Sequence, residues 1–144
     1  MQDWIADFAH RYPAAAVFSR GRPRAAVLGA VTAHRLVLKV IGAVHAENLT
    51  GTLQDMRAAG HLTDDDFSAL IDLTEFTGAI DWDEVKKIRD VMPKGQSASN
   101  KNAYLVHDDF LALVAKITEV LFPQTACAAF TTEAEARAWL GWNG

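Results

Sequence analysis

The chain alternates short β-rich runs with segments of helical periodicity from residue 25 onward, and this alternation restricts the fold more than any other feature. The runs "AAVLGAV" and "RLVLKVIG" are separated by "TAH", which predicts a hairpin. Each later strand-like run, "FSALIDL", "NAYLVH" and "TACAAF", precedes a segment with the period of a helix. Strands that alternate with helices are joined by right-handed crossovers, which build a mostly parallel sheet covered by helices.

The predicted fold is therefore α/β, with the element order β-β-α-β-α-β-α-β-α. Its sheet is mixed, mostly parallel and five-stranded, with helices packed on it, and it occupies a single domain over residues 25–144. Residues 1–24 are predicted to be an N-terminal helical arm, because residues 2–11 have helical spacing and the following "SRGRPRA" has no periodicity. Two helix ends are also predicted: Gly60 as a C-terminal stop, and Thr132 with Glu135 as an N-terminal capping box.

The arm carries an apolar face that needs a cover. Trp4, Ile5 and Phe8 share one side of the predicted helix. Either the domain itself or a second copy of the chain can bury them, and in the second case the arm makes a homodimer.

Composition and charge exclude several classes of function. About half of the 144 residues are apolar, which fits one domain. The net charge is −4, divided into +4 over residues 1–39 and −8 over the remainder. An acidic chain lacks the basic stripe that nucleic acid requires, so no nucleic-acid partner is predicted. We interpret the basic segment as solvated surface, with a patch for an acidic partner or for an acidic face of a second copy as the alternatives.

Sequence features also predict the location of the protein. No apolar run approaches the roughly 18 residues of a spanning helix, so no integral membrane segment is predicted. The first residues, "MQDWIADFAHRYP", carry acids where a secretory signal carries bases. We therefore expect a cytoplasmic protein.

Patterns for metal, cofactor and nucleophilic chemistry are incomplete. Cys127 is the single cysteine, which rules out paired thiolates and favours a buried, inert thiol. The run at residues 64–66 is contiguous aspartate rather than the alternating acids of a calcium loop. "HAE" at residues 45–47 is half of a zinc deaminase signature without its cysteine pair. No metal and no cofactor are predicted.

The stretch "LIDLTEFTGAIDWDEV", residues 70–85, is the best candidate for a site. It is predicted to form a central strand, a turn and the start of a helix. In open α/β sheets, ligands bind beyond the carboxyl ends of the strands and near helix N-termini. The candidate ligand-binding or partner-binding residues are Asp72, Thr74, Phe76, Thr77, Gly78, Asp81 and Trp82. Asp81 with Glu84 also fits a capping box, which is the interpretation we favour for Asp81.

With these elements in order, the chain resembles the SpoIIAA-like branch of the STAS-domain superfamily, which is related to anti-sigma-factor antagonists. The matching segments are "RLVLKVIGAVHAENL", "ALIDLTEFTG", "NAYLVHDD" and "FTTEAEARAWLGW", and the resemblance covers residues 25–142. It implies a binding or regulatory domain without catalysis. In the antagonists, the turn that corresponds to residues 77–82 carries a switch serine that a partner kinase phosphorylates. "TGAIDWDE" has no serine there, so that switch cannot operate in this chain.

Two functional hypotheses follow. The leading one is a non-catalytic domain that binds a protein partner or a small apolar, lipid-like ligand near residues 72–82. An apolar pocket would involve Phe76 and Trp82 with Trp139 and Trp142, although we favour a core or dimer-interface role for the tryptophans. The alternative is a small enzyme that uses Asp72 or Asp81 with His107 as an acid–base pair.

Overall fold

The computed structural model describes residues 3–22, 24–32, 35–44, 46–61, 68–77, 83, 86, 101–107 and 126–142. Three helices and six strands have their bounds within these residues. In chain order they are α1 (Asp3–Arg11), β1 (Ala16–Arg22), β2 (Ala25–Thr32), β3 (Arg35–Gly42), α2 (Ala46–Ala58), β4 (Ser68–Phe76), β5 (Lys101–Leu105), β6 (Ala126–Phe130) and α3 (Glu133–Leu140).

The strands form one mixed sheet in the order β1-β2-β3-β4-β5-β6. The pairs β1–β2 and β2–β3 are antiparallel, and β3, β4, β5 and β6 run parallel to one another. The predicted hairpin and the mostly parallel sheet are therefore confirmed. The helices predicted after the strands "FSALIDL" and "NAYLVH" lie almost entirely outside the described residues, since the structure describes only Asp83 and Lys86 among residues 78–100 and 108–125.

The prediction of five strands is wrong, because part of the supposed arm is the strand β1. Its second half, Ser19 to Arg22, is exposed, so neither face of this half needs apolar residues. The sequence therefore shows no alternation of apolar and polar residues there. Pairing with β2 along seven residues creates the strand instead, in a register that runs from Ala16 opposite Val31 to Arg22 opposite Ala25. The helix predicted over residues 2–11 is present as α1.

One face of the sheet packs against α2. Leu53 and Met56 of this helix are fully buried against apolar side chains from β2, β3 and β4. The strand residues of this cluster are Val27, Val31, Leu36, Leu38, Ala69 and Ile71. A Cβ on Gly29 would collide with the Met56 methyl group, so this glycine allows the helix to approach β2 closely.

The opposite face packs against α1 and α3. Phe8 of α1, Ala136 and Leu140 of α3, and Trp142 just beyond α3 are buried there against Leu28, Ala30, Val37, Leu70, Ala103 and Leu105. The domain itself thus covers Phe8, and a second copy of the chain is not needed to bury this side chain. Because both faces are covered, β3 and β4 can be apolar at nearly consecutive positions.

Both predicted helix ends are confirmed. After α2, Gly60 adopts a φ of 81° and the amide of His61 donates to the Met56 carbonyl at 2.9 Å, which closes the helix in a Schellman motif. At the start of α3, Thr132 Oγ1 accepts from the Glu135 amide at 3.3 Å and donates to the Glu135 carboxylate at 2.8 Å.

Gly42 at the end of β3 contacts both the turn between β1 and β2 and the residue that follows β4. Its φ is 71°, in the left-handed region. A Cβ on Gly42 would overlap the backbone carbonyl of Arg24, at the turn between β1 and β2. The Gly42 carbonyl in turn accepts from the amide of Thr77, which follows β4. Glycine is therefore required at position 42 both for its backbone conformation and for space.

We expect Gly42→Ala to destabilise the protein by about 3 kcal/mol, about half from the left-handed backbone and the remainder from displacing the β1–β2 turn. The matched control is Gly60→Ala, because Gly60 has a similar φ of 81° with nothing within 4 Å of its Cβ position. That variant should cost only about 1 kcal/mol. Urea unfolding followed by circular dichroism measures both, and equal losses would contradict the role assigned to the Arg24 contact.

Candidate functional site

The carboxyl ends of β3, β4 and β5 meet at one edge of the sheet, which we call the carboxyl edge. It is defined by Gly42 at the end of β3, Glu75 to Thr77 at the end of β4, and His107 after β5. The Thr77 amide donates to the Gly42 carbonyl at 3.1 Å and connects the first two strand ends. This edge is where open parallel sheets place their ligand sites.

Asp72, Thr74 and His107 are brought together at this edge by hydrogen bonds. Asp72 Oδ1 accepts from the Thr74 amide at 2.9 Å and from the Thr74 hydroxyl at 2.6 Å. His107 Nε2 lies 2.7 Å from the Thr74 carbonyl oxygen. Because a carbonyl oxygen only accepts, Nε2 carries the hydrogen and Nδ1 of the neutral ring is an acceptor. The backbone of Thr74 therefore stands between the carboxylate and the imidazole, which are not bonded to each other.

An irregularity in the β3–β4 ladder decides which side chains share this region. Lys39 is in register with Asp72, and the next pair is Ile41 with Glu75, so β4 contains one extra residue. The extra residue reverses the alternation of β4, and Glu75 rather than Phe76 shares the face of Asp72. On this face Glu75 forms a salt bridge with Lys39. The Lys39 side chain is 23% exposed and the Glu75 side chain is 52% exposed.

The other predicted site residues have the following places. Thr77 is exposed directly after β4, and Phe76, the last residue of β4, is half-buried. Gly78, Asp81 and Trp82 lie outside the described residues.

Trp142 lies at the amino edge of the sheet, opposite the carboxyl edge, whereas the Trp139 ring also packs on Phe130, the last residue of β6, with ring centroids 5.7 Å apart. The Trp142 indole donates to the hydroxyl of Ser68, the first residue of β4, at 2.8 Å. The ammonium group of Lys101, the first residue of β5, lies 5.2 Å from the Trp139 ring centroid. Because a strand rises about 3.3 Å per residue, Phe76 is about 25 Å from Ser68 along β4. Trp142 and Phe76 therefore cannot line one small pocket, and Trp142 belongs to the core.

A charge network beside Asp72 was not predicted from the sequence. Arg11 of α1 and Arg137 of α3 both donate to the carboxylate of Glu133, at 3.0 and 2.8 Å. Burial lowers the pKa of Arg11, but the anionic groups around it, Asp72 among them, raise that pKa on balance. The spacing of Glu133 and Arg137 at i and i+4 predicts their salt bridge. The salt bridge between Arg11 and Glu133 depends instead on where α1 packs.

Burial keeps the single thiol in its protonated form. Cys127 on β6 is half-buried, and burial raises its pKa to about 11, so the thiol stays protonated at neutral pH. In the described part of the chain, no group of three or more His, Cys, Asp or Glu side chains is arranged to hold a metal ion. No described helix is long and apolar enough to cross a membrane.

The fold has a counterpart among solved structures. The chain is similar to the crystal structure of an uncharacterised protein of the DUF3478 family with a SpoIIAA-like fold from Shewanella loihica PV-4, with a TM-score of 0.56 and 17% sequence identity. The similarity covers 88% of this chain and 93% of that one, which defines the class of fold. The SpoIIAA-like family model matches residues 35–141, and the chain belongs to the SpoIIAA-like family. A search of the curated proteins finds no match.

We expect the Glu133 network to stabilise the protein by about 1 kcal/mol, and this contribution should depend on pH. Burial alone would raise the pKa of Glu133, but hydrogen bonds and charge from Arg137 and Arg11 hold that pKa below its ordinary value. The stabilisation is therefore complete above the unfolded-state pKa of about 4.3 and disappears as the pH falls through the folded-state value.

Urea unfolding of Glu133→Gln between pH 7 and pH 3 tests this. The difference from the wild type should shrink as the solution becomes acidic. Glu47→Gln is the control, since Glu47 is exposed in the first turn of α2. A deficit in Glu133→Gln that stays constant down to pH 3 would contradict the assignment.

Proposed function

We propose that the chain is a non-catalytic binding domain that engages a protein partner through the carboxyl edge. The observation that carries the proposal is the convergence of exposed polar groups from neighbouring strand ends, namely Glu75 and Thr77 after β4 and His107 after β5. Ladder hydrogen bonds, the Thr77–Gly42 bond and the His107–Thr74 bond hold these groups on a rigid base. A rigid base lowers the ordering cost of association.

A protein partner is favoured over a small apolar ligand by the character of this surface. Small apolar ligands need a concave, mostly apolar cavity. The described side chains at the carboxyl edge are largely polar, and Trp142 lies at the opposite edge. A polar, accessible rim is typical of protein interfaces.

A binding role is also favoured by the state of the titratable groups. Asp72 Oδ1 is occupied by two hydrogen bonds from Thr74, and His107 Nε2 donates to the Thr74 carbonyl. These bonds use both groups to shape the strand end, whereas an acid–base pair needs both free to reach one substrate. The switch serine of the antagonists is absent from residues 77–82, so we infer that partner binding is controlled in another way.

Site-specific photocrosslinking tests the proposed surface. A benzophenone amino acid at Thr77 should capture one defined protein from an extract of the native organism. The same group at Gln54, which is exposed on α2, should capture none. His107→Ala should reduce the yield at Thr77, because it removes an exposed polar group of the same rim.

Equal products from both positions, or none from Thr77, would count against the carboxyl edge as an interface. Native mass spectrometry of the freshly purified protein tests whether a small apolar ligand is bound. A stoichiometric small apolar molecule in that spectrum would overturn the choice of a protein partner.

The enzyme alternative is tested by Asp72→Asn and Asp81→Asn. If the domain only binds, we expect no turnover in the wild type that either substitution abolishes. The proposal fails if both variants keep the fold and the crosslinked partner but lose a turnover measured with the wild type.

A further inference from the structure

The turn between β1 and β2 lies at the carboxyl edge. Since β2 runs antiparallel to β3, the beginning of β2 is next to the end of β3, with Ala26 opposite Ile41. The backbone of Arg24 contacts Gly42, and the Gly42 carbonyl accepts from the Thr77 amide. Arg24, Gly42 and Thr77 are therefore consecutive neighbours along this edge.

Arg22 and Arg24 flank this turn, and both are exposed. In the part of the chain that the structure describes, neither makes a salt bridge. Most other described cations do have a partner. Arg11 and Arg137 pair with Glu133, Arg20 with Asp55, and Lys39 with Glu75, while Arg35 and Lys101 lie over tryptophan rings. Two positive charges without a salt-bridge partner among the described residues therefore lie beside the proposed interface.

The strand that leads into the turn is attached to α2. Arg20 forms two hydrogen bonds with the carboxylate of Asp55 on α2, at 2.8 and 3.0 Å, which attach β1 to that helix. Arg22 is paired with Ala25 at the end of the β1–β2 ladder. The two cations are thus presented at the end of a ladder rather than on a flexible tail, which suits recognition of carboxylates by arginine.

We propose that the β1–β2 turn selects the partner by charge: the partner docks an acidic segment on the carboxyl edge, and its carboxylates pair with Arg22 and Arg24. This inference rests on the proposed function and adds the chemistry of the partner. Both arginines lie outside the family match at residues 35–141.

An acidic protein segment is favoured over two other sources of negative charge. A nucleic acid would face a chain of net charge −4 and a basic area of two residues instead of a stripe. Two copies of the chain repel each other at long range for the same reason. A short acidic segment interacts mainly with the local charge, because salt screens interactions beyond about 8–10 Å.

Fluorescence anisotropy with a labelled peptide of alternating Asp and Glu residues tests the inference on the intact protein. The peptide should bind the wild type, and its Asn and Gln counterpart should not. Arg22→Gln with Arg24→Gln should weaken binding about tenfold and reduce its salt dependence. Arg35→Gln with Lys101→Gln removes the same charge from the amino edge and should leave the affinity within about twofold. Thermal melts confirm that each variant is folded.

The same variants, placed in the Thr77 crosslinking protein, separate this inference from the proposed function. If Arg22→Gln with Arg24→Gln lowers the crosslink yield and the acidic peptide competes with the partner, charge selection is supported. If the partner crosslinks equally in both double variants, the interface stands and the charge selection is wrong. Tighter binding of a DNA duplex or of phosphatidylserine vesicles than of the peptide overturns the choice of ligand. A dimer in sedimentation that the Arg22 and Arg24 substitutions dissociate shows a second copy instead.

Discussion

β3 is the strand on which the rest of the structure depends, because it joins the antiparallel and parallel halves of the sheet. It pairs with β2 in one direction and with β4 in the other, and its alternating side chains enter both cores. Gly42, at its end, has the left-handed backbone that brings the β1–β2 turn and the end of β4 to the same point. The carboxyl edge therefore follows from how this single strand is paired and how it ends.

The two edges of the parallel strands are chemically different. At the amino edge, the Trp142 indole donates to the Ser68 hydroxyl, and the guanidinium groups of Arg35 and Arg137 are 5.3 and 5.7 Å from its ring centroid. This edge closes the core. At the carboxyl edge, Thr77 and His107 remain exposed while their neighbours are fixed by hydrogen bonds. The division matches the general rule that binding residues lie on exposed segments supported by a rigid scaffold.

Much of this arrangement could be predicted from local patterns. The pattern of a strand followed by a turn predicts Asp72 and Thr74 as candidate site residues, and two hydrogen bonds join them in the structure. The position of Glu75 on the same face as Asp72 could not be predicted. That face depends on one extra residue in β4, and register is a property of two paired strands. The strand β1 could not be predicted for a similar reason: its second half is exposed and shows no alternation, and only the pairing with β2 defines it as a strand.

The sequence by itself determined the α/β class, the β2–β3 hairpin, and the helix ends at Gly60 and Thr132. These features depend on side-chain periodicity and on residues whose preferences act over a few positions. Tertiary structure alone decided that Arg11 forms a salt bridge with Glu133 and that Trp142 lies far from Phe76. It also decided that Gly42 contacts both Arg24 and Thr77. These contacts join residues distant in the chain, and they exist only because the strand order and the ladder registers place them together.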